Sequence, residues 1–146
     1  MMVVLASVII YAQSVNDFIA VQRNALKADK KALVAESMHL TEAQSTVFWP
    51  LYDEYNEKTY ALKSQIYDML ITYGNNYLTM TDEKAVELWN NKIQIDGDLL
   101  NLQKTYLKKF LKVLPGETVV RYFQVENKIS MIINAELADL IPLIRQ

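Results

Sequence analysis

The single histidine, His39, stands next to Met38 and three residues after Glu36, and these side chains come nearest to a reactive or metal-ligating set. A His/Met/Glu group suits a soft or borderline transition metal, which would make this stretch the centre of a metal-responsive sensor. The alternative is a polar residue in the turn before Leu40, with Met38 packed on the core. Glu36-x-x-His39 also matches one copy of the spacing used by di-iron helical bundles, but that chemistry needs two copies. A His-based triad has one available centre and no partner set. The chain has no cysteine, which removes thiolate nucleophiles, disulfides and Cys-based zinc or iron–sulfur sites. Glycine-rich phosphate loops and GxSxG elbows are missing as well. The expectation is a protein that is not an enzyme, with no catalytic residue, cofactor or bound metal.

Binding chemistry has more to work with. On a helix covering residues 82–113, Lys104, Lys108 and Lys112 line one side, with Lys109 further round the same arc. The opposite arc carries Leu99, Leu100, Leu102, Tyr106, Leu107, Phe110 and Val113, wider than a single seam requires. The reading is a basic rim beside apolar surface, able to hold a net-acidic non-native or partner protein; the alternative is a lysine face in water. The next helix is apolar over more than half its circumference, so it is either central in a bundle or offers Val125, Ile129 and Ile132 as a dimer or client surface. Asp96, Gln103 and Glu126 fall inside the expected core arcs. A carboxylate at Glu126 needs a partner such as Arg23, a lysine or a tyrosine hydroxyl.

The elements that must position these groups are helical. Of 146 residues, 51% are hydrophobic and 22% charged, with a net charge of −2. That balance excludes a disordered chain and the basic excess of a phosphate-neutralising nucleic-acid binder. Three glycines and three prolines are too few for a turn-rich sheet protein, and no stretch alternates with period two. Periodicity places a first helix over 15–37 and a second from Thr41 to the Gly74-Asn75-Asn76 break. Thr41 and Gln44 are spaced as a capping box, and Pro50 should kink the early turns. The second helix carries Phe48, Tyr52, Tyr55, Thr59, Leu62, Ile66, Met69 and Tyr73 as its seam. The third runs over 82–113 behind Thr81, with Val86, Trp89, Ile93, Leu100, Leu107, Phe110, Leu111 and Leu114 as its seam and Gly97 as a place to bend. After Leu114-Pro115-Gly116-Glu117-Thr118 a fourth helix runs to Leu140. Residues 1–12 read as a signal-peptide remnant, an apolar run too short to span a bilayer with a small residue, Ala12, for cleavage. Residues 13–146 are then one helical domain, and the two halves look like two helical hairpins of similar design.

Leu40-Thr41-Glu42-Ala43-Gln44 at the first inter-helix break, an export signal and an all-helical chain of this length resemble the Spy/CpxP family of bacterial periplasmic proteins, named for an LTxxQ motif. The place of a second copy reads Leu114-Pro115-Gly116-Glu117-Thr118, a degenerate version. The resemblance implies an elongated helical bundle or cradle, dimeric, periplasmic in a Gram-negative cell, acting as an ATP-independent chaperone, an envelope-stress modulator or a metal-responsive sensor. It also implies that Leu40, Thr41 and Gln44 shape a helix junction. The chain departs from the chaperone members in being slightly acidic. The combined expectation is a non-catalytic protein-binding protein, not membrane-spanning, whose surface for clients or a partner comprises Lys104, Tyr106, Lys108, Lys112, Val125, Ile129 and Ile132. The alternatives are a metal sensor centred on His39 and a structural adaptor with one partner.

Overall fold

The structure is a computed structural model describing residues 30–145, so the expected signal remnant, residues 1–12, and most of the expected first helix lie outside the described residues. Within them the fold is all-α, with no strand. Helix α1 ends at residue 38, and α2 (Glu42–Asn76), α3 (Asp82–Leu111) and α4 (Gly116–Leu140) follow, with a 3-10 turn at Tyr77–Thr79 between α2 and α3.

Each junction follows from local chemistry. His39 takes a left-handed backbone (φ 49°) after the last turn of α1, a position more often held by Gly or Asn. Two residues later the capping box forms. The Gln44 N–H donates to Thr41 Oγ1 at 3.2 Å and the Thr41 N–H donates to Gln44 Oε1 at 3.1 Å. Pro50 deletes one rung of the backbone ladder, yet α2 continues through it as one helix. Thr81 caps α3 by accepting from the Lys84 N–H. Pro115 stands at the N-cap of α4, where no donor is missed.

The long helices are held by an aromatic cluster at one end of the molecule. Phe48, Tyr52 and Tyr55 from α2, Tyr106 and Phe110 from α3 and Tyr122 from α4 are buried together with Val34 and Met38 of α1. Phe48 meets Tyr122 edge-on with centroids 5.1 Å apart, and Phe110 lies 5.5 Å from Phe48 and 5.1 Å from Tyr122. Removing one such ring costs about 3–5 kcal/mol. Because Phe48 and Glu54 of early α2 meet Phe110 and Tyr106 of late α3, the two helices run antiparallel. Tyr55–Phe123, Lys63–Ser130 and Tyr73–Pro142 contacts, in that order, show α4 running parallel to α2. A thinner aliphatic cluster around Tyr67 and Leu137 closes the far end.

The buried residues of α2 follow the expected seam through Phe48, Tyr52, Tyr55 and Thr59; beyond them Leu62, Ile66, Met69 and Tyr73 are half-buried, and Tyr67 and Gly74 are the buried residues. Those of α3 do not. Leu88, Ile95, Tyr106 and Phe110 face inward, while Val86, Trp89, Ile93, Leu100 and Leu111, expected as its seam, are exposed. The helix has two apolar faces, and the inward one is set by the ring cluster that Tyr106 and Phe110 join. Asp96 and Gln103, expected in core arcs, are exposed accordingly. Gly97 sits inside α3, where a Cβ would meet nothing within 4 Å. Glycine there costs about 1 kcal/mol of helix stability relative to alanine, with no packing reason among the described residues.

Replacing Thr41 by Ala removes the hydroxyl that accepts from the Gln44 N–H, leaving only the backbone half of the box, and should cost about 1 kcal/mol, read as a fall of roughly 3 °C in Tm. Thr41→Ser should retain most of it. A Thr41→Ala variant melting with the parent would show that the junction does not depend on the cap.

Candidate functional site

Three of the seven side chains expected to form a binding surface are turned into the fold and four stay exposed. Tyr106 is 1% exposed and belongs to the core, so it is removed from that surface. Its ring must face inward to meet Tyr55 at 4.9 Å, and its hydroxyl then points at the α2 carboxylate of Glu54. Val125 and Ile129 are half-buried against the main cluster, since the inner face of α4 also carries Tyr122 and Glu126. Ile132, by contrast, is 63% exposed beside the exposed Met131. Lys104, Lys108 and Lys112 all lie on the exposed side of α3. Lysines and Ile132 thus stay at the surface, and Tyr106, Val125 and Ile129 hold the fold.

The apolar side chains missed as surface are the larger set. Val86, Trp89, Ile93, Leu100 and Leu111 form a row along α3, with Trp89 64% exposed. At about 100° per residue all five fall within one narrow arc. Where the row passes α4, a cleft of about 450 Å³ opens between the helices, lined by Gln103, Lys104, Leu107, Val120, Phe123, Gln124 and Asn127. Strict seven-residue spacing (86, 93, 100, 107) was visible in the sequence. What it could not reveal is that this face points away from α2.

Two charged clusters brace the helices behind this surface. Glu54 accepts from the Tyr106 hydroxyl, from Lys109 Nζ at 3.1 Å and from Lys58 Nζ at 3.3 Å. The Tyr106 hydrogen bond, then Lys109 and Lys58, hold its carboxyl down at about 2, and both lysines are raised. The second cluster is buried. Lys30 of α1 pairs with Glu126 at 2.8 Å and donates to Asn56 Oδ1 at 2.9 Å. Lys63 Nζ donates to the Ser130 hydroxyl at 3.2 Å, and burial, with Lys30 nearby, lowers its pKa. Burial and the Glu126 charge push the Tyr122 hydroxyl upward, and the same two causes push Tyr55 to about 12. Glu126 therefore has the lysine partner its position required, supplied by α1.

Around His39 the ligand set comes apart. Met38 is buried in the main cluster, while Glu36 and His39 are exposed. Among the described residues no group of three or more His, Cys, Asp and Glu side chains could hold a metal ion, and no helix is long and apolar enough to cross a membrane. Leu40, Thr41 and Gln44 act at the α1–α2 junction, Leu40 packing against the main cluster. No protein-family model, no curated protein and no solved structure matches this chain.

Stranding one member of a buried ion pair is far worse than deleting both. Lys30→Met should lower the unfolding free energy in urea by about 3 kcal/mol or more, and adding Glu126→Leu should recover most of that loss. Two independent, additive losses would show that the pair is not coupled. In the exposed cluster, Tyr106→Phe removes the largest influence on Glu54, so its carboxyl should titrate higher, toward 4.5, in a carbon-detected NMR titration. Because the folded value is depressed, the stability Glu54 contributes is complete above pH 4.5 and is lost as pH falls toward 2. An unchanged Glu54 titration in Tyr106→Phe would refute the assignment.

Proposed function

We propose that this chain is a non-catalytic, ATP-independent protein-binding protein similar to the Spy/CpxP family, exported to the periplasm, where it shields non-native or partner proteins or modulates an envelope-stress response. One observation carries the reading. Large apolar side chains stay exposed in a continuous row on α3, and Lys104, Lys108 and Lys112 stand at its C-terminal half. A monomeric surface rarely keeps so contiguous a patch without a polypeptide to cover it. Apolar contact of this kind is non-directional and tolerates varied sequences, while the lysines favour acidic segments. Release then needs no nucleotide, because each contact is weak on its own. The capping box at Thr41 and Gln44 supports the family likeness at the motif that names it. In this reading the chain folds as two helical hairpins and works as a dimer. The adaptor alternative differs in having one partner and no general activity; the sensor alternative is weakened by Met38 turning into the core.

A chemically denatured client diluted into buffer with this protein should scatter less light, with suppression complete near one-to-one stoichiometry. Raising the salt from low to roughly 1 M, where the screening length falls to about 3 Å, should weaken suppression, and so should replacing Lys104, Lys108 and Lys112 together by Gln. Ile132→Ser tests the α4 side of the surface in the same assay. Undiminished aggregation at every salt concentration would remove the chaperone reading.

A further inference from the structure

Beyond the aromatic cluster, α2, α3 and α4 surround a cavity of about 520 Å³, within the range of small-molecule sites. Its walls are apolar for most of their length, with Ile66 and Leu70 from α2, Leu99 from α3, and Ile133, Leu137 and Ile141 from α4. The Tyr73 hydroxyl donates to the Pro142 carbonyl at 2.6 Å, which fastens the segment after α4 to α2 and holds the Ile141 wall in place. Lys63 and Ser130 line the end nearest the aromatic cluster, and Lys63 Nζ donates to the Ser130 hydroxyl at 3.2 Å. Lys92 and Asp96 line the cavity too, but they pair with each other at 2.5 Å and add no net charge. The charge balance at the Lys63 end is incomplete. Lys30 takes Glu126 at 2.8 Å, and among the described residues no carboxylate lies within ion-pair distance of Lys63. Burial pushes the Lys63 ammonium toward its neutral form, Lys30 adds to that push, and Glu126 opposes it. Two ammonium groups against one carboxylate leave one positive charge unanswered beside an apolar space, which is costly until an anion meets it.

We propose that this cavity binds one alkyl carboxylate, a fatty acid, with its head group on Lys63 and Ser130 and its chain running toward Leu137 and Ile141. An inorganic anion would answer the charge and leave the apolar walls wet, and a neutral hydrocarbon would do the reverse. A chain ending in a carboxylate meets both needs. The head group accepts from the ammonium and the hydroxyl, which makes one of these bonds charge-assisted. From Ser130 to Ile141 the helix rises about 16 Å, room for roughly a dozen carbons in extended form. The site is separate from the exposed row of α3, because Leu99 lies about 100–120° round the helix from Leu100 and Ile93. Ligand and client would therefore occupy different faces of α3.

Dodecanoate titrated into the full chain below its micelle concentration should bind saturably in calorimetry, one molecule per chain. Shortening the ligand to decanoate and octanoate should weaken binding by up to about fourfold per methylene removed. Decanol, which lacks the charge, should bind on the order of tenfold more weakly than decanoate. Lys63→Met keeps the stem and should erase that preference, weakening decanoate while sparing decanol; retained decanol binding also shows that the variant is folded. Ser130→Ala is the milder change and should weaken dodecanoate severalfold. Ala138→Phe, at an exposed position on the cavity wall, should fill the space and abolish binding with unchanged helical circular dichroism. No saturable binding, or equal affinity for decanoate and decanol, would overturn the proposal. So would several molecules bound per chain, or binding lost in Trp89→Ser and kept in Ala138→Phe, since the acid would then only coat the exposed row.

Discussion

Eight aromatic rings from three helices meet at one end of the molecule, and the facing of every other residue follows from them. Rings are large, have few rotamers and pack edge-to-face within narrow limits. Once Phe48 and Tyr52 of α2 accept Phe110 and Tyr122, rotation of α3 and α4 about their own axes is settled. That rotation turns Leu88 and Ile95 inward and leaves Val86, Trp89 and Ile93 outside. The exposed row on α3 is thus a by-product of a constraint acting about 20 residues further along the same helix. The exposed row and the core are coupled here through rigid helix geometry, since a straight helix has one rotational setting for its whole length.

Much of this was readable in the residues. Thr41 and Gln44 announced a capping box, Thr81 a second cap, and Gly74-Asn75-Asn76 the end of α2, because each depends on chemistry within four residues. The α2 seam was legible for the same reason, as it has one apolar face. Glu126 asked for a cation, and Lys30 answers. The α3 helix was harder. Val86–Ile93–Leu100–Leu107 and Leu88–Ile95–Leu102–Tyr106 are both apolar rows of helical spacing, and periodicity alone does not say which one faces α2. Tyr106 was misplaced with them: a tyrosine next to lysines reads as surface until Glu54, 52 residues away, claims its hydroxyl. Met38 and His39 are neighbours in sequence but part company because the left-handed residue at 39 sends the chain out of the helix.

The charged groups divide the work. Glu54 with Tyr106, Lys58 and Lys109 ties α2 to α3 at the surface, where solvent weakens each contact and geometry is forgiving. Lys30 with Glu126 and Asn56 ties α1 to α4 and α2 in the interior, where stranding either charge is costly; Glu126 Oε1 there has no hydrogen-bond partner among the described residues. Such an arrangement adds little net stability over apolar packing, but it penalises misplacement: a one-turn slip of α1 would bring Val34 against Glu126 and leave two buried charges alone. Specific register and modest stability are what a protein with one concentrated aromatic core can gain from a buried pair.

Lys30 also bears on the order in which the chain can assemble. Its amine needs Asn56 from α2 and Glu126 from α4, and the latter lies near the other end of the described chain. Until both are in place, burying the ammonium is uphill. The α2–α3 pair can form early, because a short turn joins them and their contacts close a small loop. Docking of α1 waits for α4, so the first helix of the described chain is the last to be seated. A chain made from its N-terminus would then hold α1 in reserve, and this contact would close only after synthesis had passed Glu126.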